Sequence, residues 1–160
     1  MAKLAVIALH PQVLMLGETG LDKKNGTTPI ERQIEVFREH IRLSELLHKP
    51  IIVHCVKAFD EILAIRKETK ANLPWIIHGF RGGIEQWEQL SKAGLHISIG
   101  RHYNTKLIQQ LPQQQFLIES DDTTEIEEIY TLISQDTGMT ISKLQQLVEN
   151  NFLHLFKNET

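Results

Sequence analysis

Short, almost unbroken apolar runs alternate along the chain with longer stretches in which apolar residues recur every three or four positions. The runs are Leu4–Leu9, Val13–Leu16, Ile51–Val53, Trp75–Ile77, Leu95–Ile99 and Phe116–Ile118. Unbroken apolarity over so few residues predicts strands covered on both faces, as in a parallel sheet. The stretches between them predict helices. Residues 29–48 carry Ile30, Ile34, Phe37, Ile41 and Leu47 on one stripe, with Pro29 suited to a first helical turn. Residues 58–70, 84–93, 124–134 and 141–156 show the same kind of spacing, and Gly94 is placed to close the helix over 84–93. The alternation predicts an α/β fold with a parallel sheet and right-handed crossovers.

Length and composition keep this picture within ordinary globular bounds. A chain of 160 residues is long enough for one compact domain, and 41% apolar with 23% charged residues is a usual mix. No stretch approaches the roughly 20 apolar residues needed to span a bilayer, so no membrane partner is expected. His10-Pro11 interrupts the apolar start and no small-residue cleavage site follows, which argues against a secretory leader. The single cysteine, Cys55, leaves no internal disulfide and fits a reducing compartment, so a cytoplasmic location is expected. A net charge of -3 argues against a broad basic surface for nucleic acid. It leaves room for an enzyme acting on phosphodiesters, because bound cations can supply positive charge locally.

Eight histidines prompt a search for metal ligands. In a (β/α) barrel the chemistry sits just after the strands. The run Val13–Leu16 leads to Glu18 within Gly17-Glu18-Thr19-Gly20-Leu21-Asp22. Ile51–Val53 runs into His54, Trp75–Ile77 into His78, and Phe116–Ile118 into Glu119-Ser120-Asp121-Asp122. The separations of 36, 24 and 43 residues fit whole βα units, the last containing the extra run at Leu95–Ile99. Mixed imidazole and carboxylate donors suit borderline divalent ions. Such ions activate water and stabilise charge on a phosphate, and an adjacent aspartate can take the proton. The plainer alternatives are a structural role for each strand-end histidine, and helix capping near Thr124 by Asp121 and Asp122.

The motifs also resemble a family. Gly17–Asp22 (GETGLD) is similar to the GEIGLD motif of TatD-type metal-dependent deoxyribonucleases. Gln33, Phe37 and His40 resemble the Q…F…H/Q pattern of that family's next helix. Pro50–Cys55 (PIIVHC), Ile77–Gly82 (IHGFRG), His96–Gly100 (HISIG) and Ile118–Asp122 (IESDD) resemble its later strand ends. The likeness covers about nine-tenths of the chain in the right order.

The resemblance implies a TIM-like barrel and hydrolysis at DNA ends. It implies metal-ligating roles for Glu18, His54, His78 and Asp121, with Glu18 shared between ions and Asp121 assisting the attacking water. The implied cofactor is a divalent ion (zinc, manganese, magnesium or iron) at one or two sites. The implied partner is DNA or a small phosphodiester. Arg81 and Lys57 are candidate phosphate contacts, and His10 a candidate substrate contact if its run keeps the family's position.

The departures shape the expectation further. The family's H-x-H-x-D motif is absent, and no His-x-His occurs in this sequence. Five or six strands in 160 residues, against eight strands in about 250 for a complete barrel, predict an incomplete barrel: a single domain lacking the first strand–helix units. Open sheet edges then favour self-association. Two other functional readings follow: an impaired or non-catalytic remnant, and a metal-dependent amide or lactone hydrolase on the same barrel. Cys55, Trp75 and Trp87 are expected to pack rather than react, and no substrate role is expected of His102 or Tyr103.

Overall fold

The computed structural model describes residues 2–111, 116–121 and 124–156. They form two compact units, Met1–Ile77 and His78–Thr160. Each has strands parallel to their paired neighbours, with helices between them. No helix of the described residues is long and apolar enough to cross a membrane.

The first unit contains α1 (Ala2–Ala8), β1 (Leu16–Asp22), α2 (Ile30–Leu47), β2 (Ile51–Val56), α3 (Phe59–Thr69) and β3 (Trp75–Ile77). β2 runs parallel to both neighbours, with Gly20 opposite His54 on one side and Val53 opposite Ile77 on the other. Phe37 of α2 meets Trp75 of β3 edge to face, ring centroids 5.2 Å apart, and both are fully buried. Arg66 of α3 lies over the same Trp75 ring at 5.0 Å, its Nη1 donating to the Leu73 carbonyl at 2.9 Å. This is why Trp75 packs rather than meeting ligand.

The second unit contains α4 (Ile84–Lys92), β4 (Leu95–Ile99), α5 (Thr105–Gln110), β5 (Phe116–Ile118), α6 (Ile126–Thr137) and α7 (Ile141–His154). β4 and β5 pair in parallel, Ile97 opposite Phe116. Gly94 follows the α4 cap residue with a left-handed φ of 72°, as its position suggested. α7 begins on the Thr140 side chain, which accepts from the Lys143 N–H, and Asn151 Nδ2 donates to the Phe116 carbonyl at 2.9 Å.

Three expectations change. The apolar run Leu4–Leu9 is not a strand but belongs largely to α1. Its Leu4, Ala5 and Ala8 pack on Leu16, Leu43 and Leu47, while Val6, Ile7 and Leu9 are exposed. That is helical periodicity, which a short apolar run conceals. The next strand is Leu16–Asp22 rather than Val13–Leu16, so the glycine-rich motif is itself β1. Gly20 adopts φ 148°, and a Cβ there would lie 2.0 Å from the His54 carbonyl oxygen, so the close strand approach requires glycine. Finally, α5 was not expected. It is only six residues long, capped by Asn104 Oδ1 accepting from Lys106 N and Leu107 N, with Leu107 and Ile108 buried.

Replacing Phe37 by alanine should destabilise the protein by about 3–5 kcal/mol, because the cavity would open against Trp75. The exposed Val6→Ala should stay within about 0.5 kcal/mol of wild type. Urea denaturation monitored by tryptophan fluorescence checks both.

Candidate metal centre

β1 is irregular where it carries Glu18: its register with β2 shifts between Leu16 and Thr19. An irregularity of this kind re-aims side chains. Here Glu18 Oε1 lies 2.6 Å from His54 Nδ1, and the other ring nitrogen, Nε2, is 3.3 Å from Asp22 Oδ2. Glu18 and His54 are part-exposed, with 45% and 34% of their side-chain surface open, whereas Asp22 keeps only 16%. The pair opens into a groove of about 400 Å³ between the strands and α2.

Asp22 is held firmly. Its Oδ1 accepts from the N–H groups of Lys24 at 2.8 Å and Asn25 at 2.7 Å. Its backbone N–H donates to Gln33 Oε1 at 2.8 Å, and Gln33 Nε2 donates back to the Asp22 carbonyl at 3.1 Å. The Asn25 N–H above all, with Lys24 and His54 and against the opposing effect of burial, holds the carboxyl down at about 2. It is therefore an anion throughout the neutral range, able to orient the His54 ring. Both ring nitrogens of His54 thus face a carboxylate oxygen, Nδ1 that of Glu18 at the shorter distance and Nε2 that of Asp22.

In the second unit, His78 directly follows the chain's β3 residue Ile77. Its Nδ1 stands 3.6 Å from Glu119 Oε1, and only 13% of its side chain is exposed. Glu119 accepts from the Gly79 N–H at 2.7 Å and from the Ser98 hydroxyl. Burial pushes its carboxyl up, but the neighbouring His78, Ser98 and Gly79 outweigh burial and hold it below the ordinary carboxylate range. Asp121, two residues further on, is exposed on a turn with φ 49°. Asp122 lies outside the described residues. α6 starts only at Ile126, with Glu125 at its cap position and no side-chain cap bond.

The sequence candidates thus fall in different surroundings. Glu18 and His54 are brought together in the first unit. Both lie within their strands, not beyond them. Lys57 is exposed just past β2 with φ 53°, and Arg81 is exposed on the loop before α4. His10 is exposed after α1, and its carbonyl accepts from Lys49 Nζ at 3.1 Å. Lys49 lies just before β2, so His10 sits by the starting ends of the strands, at the opposite end from Asp22. Cys55 is half-buried and burial pushes its thiol up to about 12, which suits packing rather than reaction. Tyr103 donates to Asp136 Oδ2 at 2.6 Å, a structural bond.

Two carboxylates behind the imidazoles, Asp22 and Glu119, went unassigned from the sequence. For Glu119 the signal was available: it is the first residue after β5, but Asp121 in the same acidic cluster drew the assignment.

Comparison with known proteins finds relatives along most of the chain. The sequence model described as TatD related DNase matches residues 1–157. The chain is 31% identical over 123 residues to the uncharacterized metal-dependent hydrolase YabD of Bacillus subtilis, covering 72% of this chain and 48% of that protein. It is 34% identical over 99 residues to the 3'-5' ssDNA/RNA exonuclease TatD of Erwinia billingiae, covering 61% and 38%. The chain therefore spans less than half the length of these two relatives. The crystal structure of YJJV, a TatD homolog from Escherichia coli K12, superposes with a TM-score of 0.81 at 21% identity, covering 95% of this chain and 68% of that one. Likeness at that identity shows the fold, an α/β TIM-type barrel architecture with parallel strands and surrounding helices.

Because the Asp22 carboxyl is depressed in the folded state, its stabilising contribution is present above about pH 4 and lost as pH falls toward about 2. Asp22→Asn should therefore be less stable than wild type at pH 7, with the difference shrinking between pH 4 and pH 2. Thermal melts across that range test the sign, and a difference that grows on acidification would contradict it.

Proposed function

The chain belongs to the TatD-related DNase family, and from that premise we propose that it forms a divalent-metal-dependent hydrolytic centre acting on phosphodiester bonds at DNA ends. The observation that carries this reading is the Glu18–His54 pair, a carboxylate and an imidazole nitrogen 2.6 Å apart at the edge of an open groove. We assign Glu18, His54, His78 and Asp121 as the ligands, as the resemblance of their motifs to the family implies. The mix of nitrogen and oxygen donors suits zinc, manganese or iron better than magnesium, which favours oxygen. With no His-x-His in the sequence, we assign at most one tightly held ion per chain.

A bound divalent ion neutralises phosphate charge and makes water more acidic. The chain's own side chains supply the remainder. Asp121 takes the proton of the attacking water. Arg81, through its guanidinium fork, and Lys57 hold the phosphate. Asp22 restrains the ring of His54, and Glu119 stands beside that of His78. His10 has no part in this scheme, given its place at the starting ends of the strands. The same reading puts the chain in the cytoplasm. The exposure of Val6, Ile7, Leu9 and Leu46 supports self-association, which light scattering at rising concentration should register as a growing mass.

Metal analysis with an end-labelled single-stranded oligonucleotide assay tests the proposal. The expected result is no more than one ion per chain, and hydrolysis that chelator abolishes. His54→Ala should lower metal content, and Asp121→Asn should reduce kcat by on the order of 10² to 10⁴. Full activity in Asp121→Asn would remove its assignment. Turnover of lactones or amides with inert oligonucleotides would replace the nuclease reading. A chain that binds metal and cuts none of these substrates would be a non-catalytic relative.

A further inference from the structure

The groove beside Glu18 and His54 continues away from them along α2. It is lined by Glu18, Asp22 and His54 from the strands, and by Thr28, Arg32 and His40 from α2 and the loop before it. Two carboxylates at one end make that end repulsive to a polyanion. Among the described residues that line the groove, Arg32 carries the fixed positive charge. Its side chain is 62% exposed, and its Nη1 lies 2.7 Å from Glu35 Oε2, which is equally exposed. A solvated pair of this kind is held weakly, and a guanidinium fork exchanges one carboxylate for a phosphate readily.

His40 supplies a different chemistry. Its Nδ1 is 2.8 Å from the Val36 carbonyl oxygen, which can only accept, so in the neutral ring Nδ1 carries the hydrogen. The remaining nitrogen, Nε2, is then an acceptor, suited to a sugar hydroxyl or a base amino group and not to a second phosphate. A volume of about 400 Å³ is of the size that takes one small ligand, and is too small for a duplex.

We propose that this groove is a subsite for the backbone of a single-stranded nucleic acid, with Arg32 holding a phosphate that flanks the one being cut. The proposal rests on the phosphodiesterase reading above and adds the binding determinant outside the metal ligands. Lys57 and Arg81 serve the scissile phosphate; Arg32 serves its neighbour.

The test is fluorescence anisotropy of a labelled single-stranded oligonucleotide with the whole chain, in chelator to prevent cleavage and over a series of salt concentrations. Arg32→Ala should weaken binding several-fold for all sequences alike. It should also flatten the slope of log affinity against log salt by about 0.7, the value for one phosphate contact on a single strand. Arg32→Lys should recover part of both. Glu35→Ala, which frees the guanidinium, should bind at least as tightly as wild type. Equal affinity and equal slope in wild type and Arg32→Ala would overturn the proposal, as would the absence of binding by wild type. A metal-loaded cleavage assay separates the two ideas. Arg32-dependent binding without hydrolysis would leave the groove standing and remove the phosphodiesterase reading. Hydrolysis with KM and salt slope unaffected by Arg32→Ala would do the reverse.

Discussion

β1 and β2 approach each other so closely at Gly20 that a side chain there would meet the His54 carbonyl at 2.0 Å. Gly17 repeats the constraint against Ile52 at 2.8 Å. Both glycines take φ values near +150°, which L side chains rarely adopt. This contact lets a carboxylate on one strand reach an imidazole on the next. Bulkier residues would part the strands and separate Glu18 from His54. The buried Phe37–Trp75 contact braces the same sheet from the helix side, so the site borrows its rigidity from an apolar layer that takes no part in chemistry.

The two histidines share one design in separate units. Each imidazole faces a carboxylate held as an anion: Asp22 through the Asn25 and Lys24 N–H groups, Glu119 through His78 itself, the Ser98 hydroxyl and the Gly79 N–H. A carboxylate behind a ring fixes which nitrogen bears the proton and strengthens the other as a donor. Gln33 carries the arrangement one step outward, clamping the Asp22 backbone through both ends of its amide. The polar residues around β1 therefore form a supporting layer for His54, and this gives the glycine-rich motif a role beyond supplying one acidic ligand.

Electrostatics set a problem that the groove addresses. The chain is acidic overall, and Glu18 and Asp22 concentrate negative charge where, on the proposed reading, an anionic substrate would come. A cation held by these ligands inverts the local field, while the guanidinium of Arg32 lies along the groove where the next phosphate of a strand would run. On the proposed reading, selectivity for a chain of phosphates over a single one would follow from spacing and not from overall charge.

Much of this was legible along the chain. The helices α2, α3, α4, α6 and α7 and the strands β2 to β5 lie within a few residues of where apolar periodicity puts them, because burial of a stripe or a run is a local property of sequence. Glu18, His54 and His78 could be singled out for the same reason: each lies in or directly after such a run. The run Leu4–Leu9 misled, since so few residues do not tell a helical stripe from a strand. The motif Gly17–Asp22 was expected to follow a strand over Val13–Leu16, because its glycines break the apolar run, and it lies within β1 instead. What holds His54 and His78 in place was hidden. Asp22 is 32 positions from His54 in sequence, and their contact exists only through the register of two parallel strands. Composition and spacing determined which side chains were present and on which elements. Strand register, a relation between distant segments, decided which of them meet.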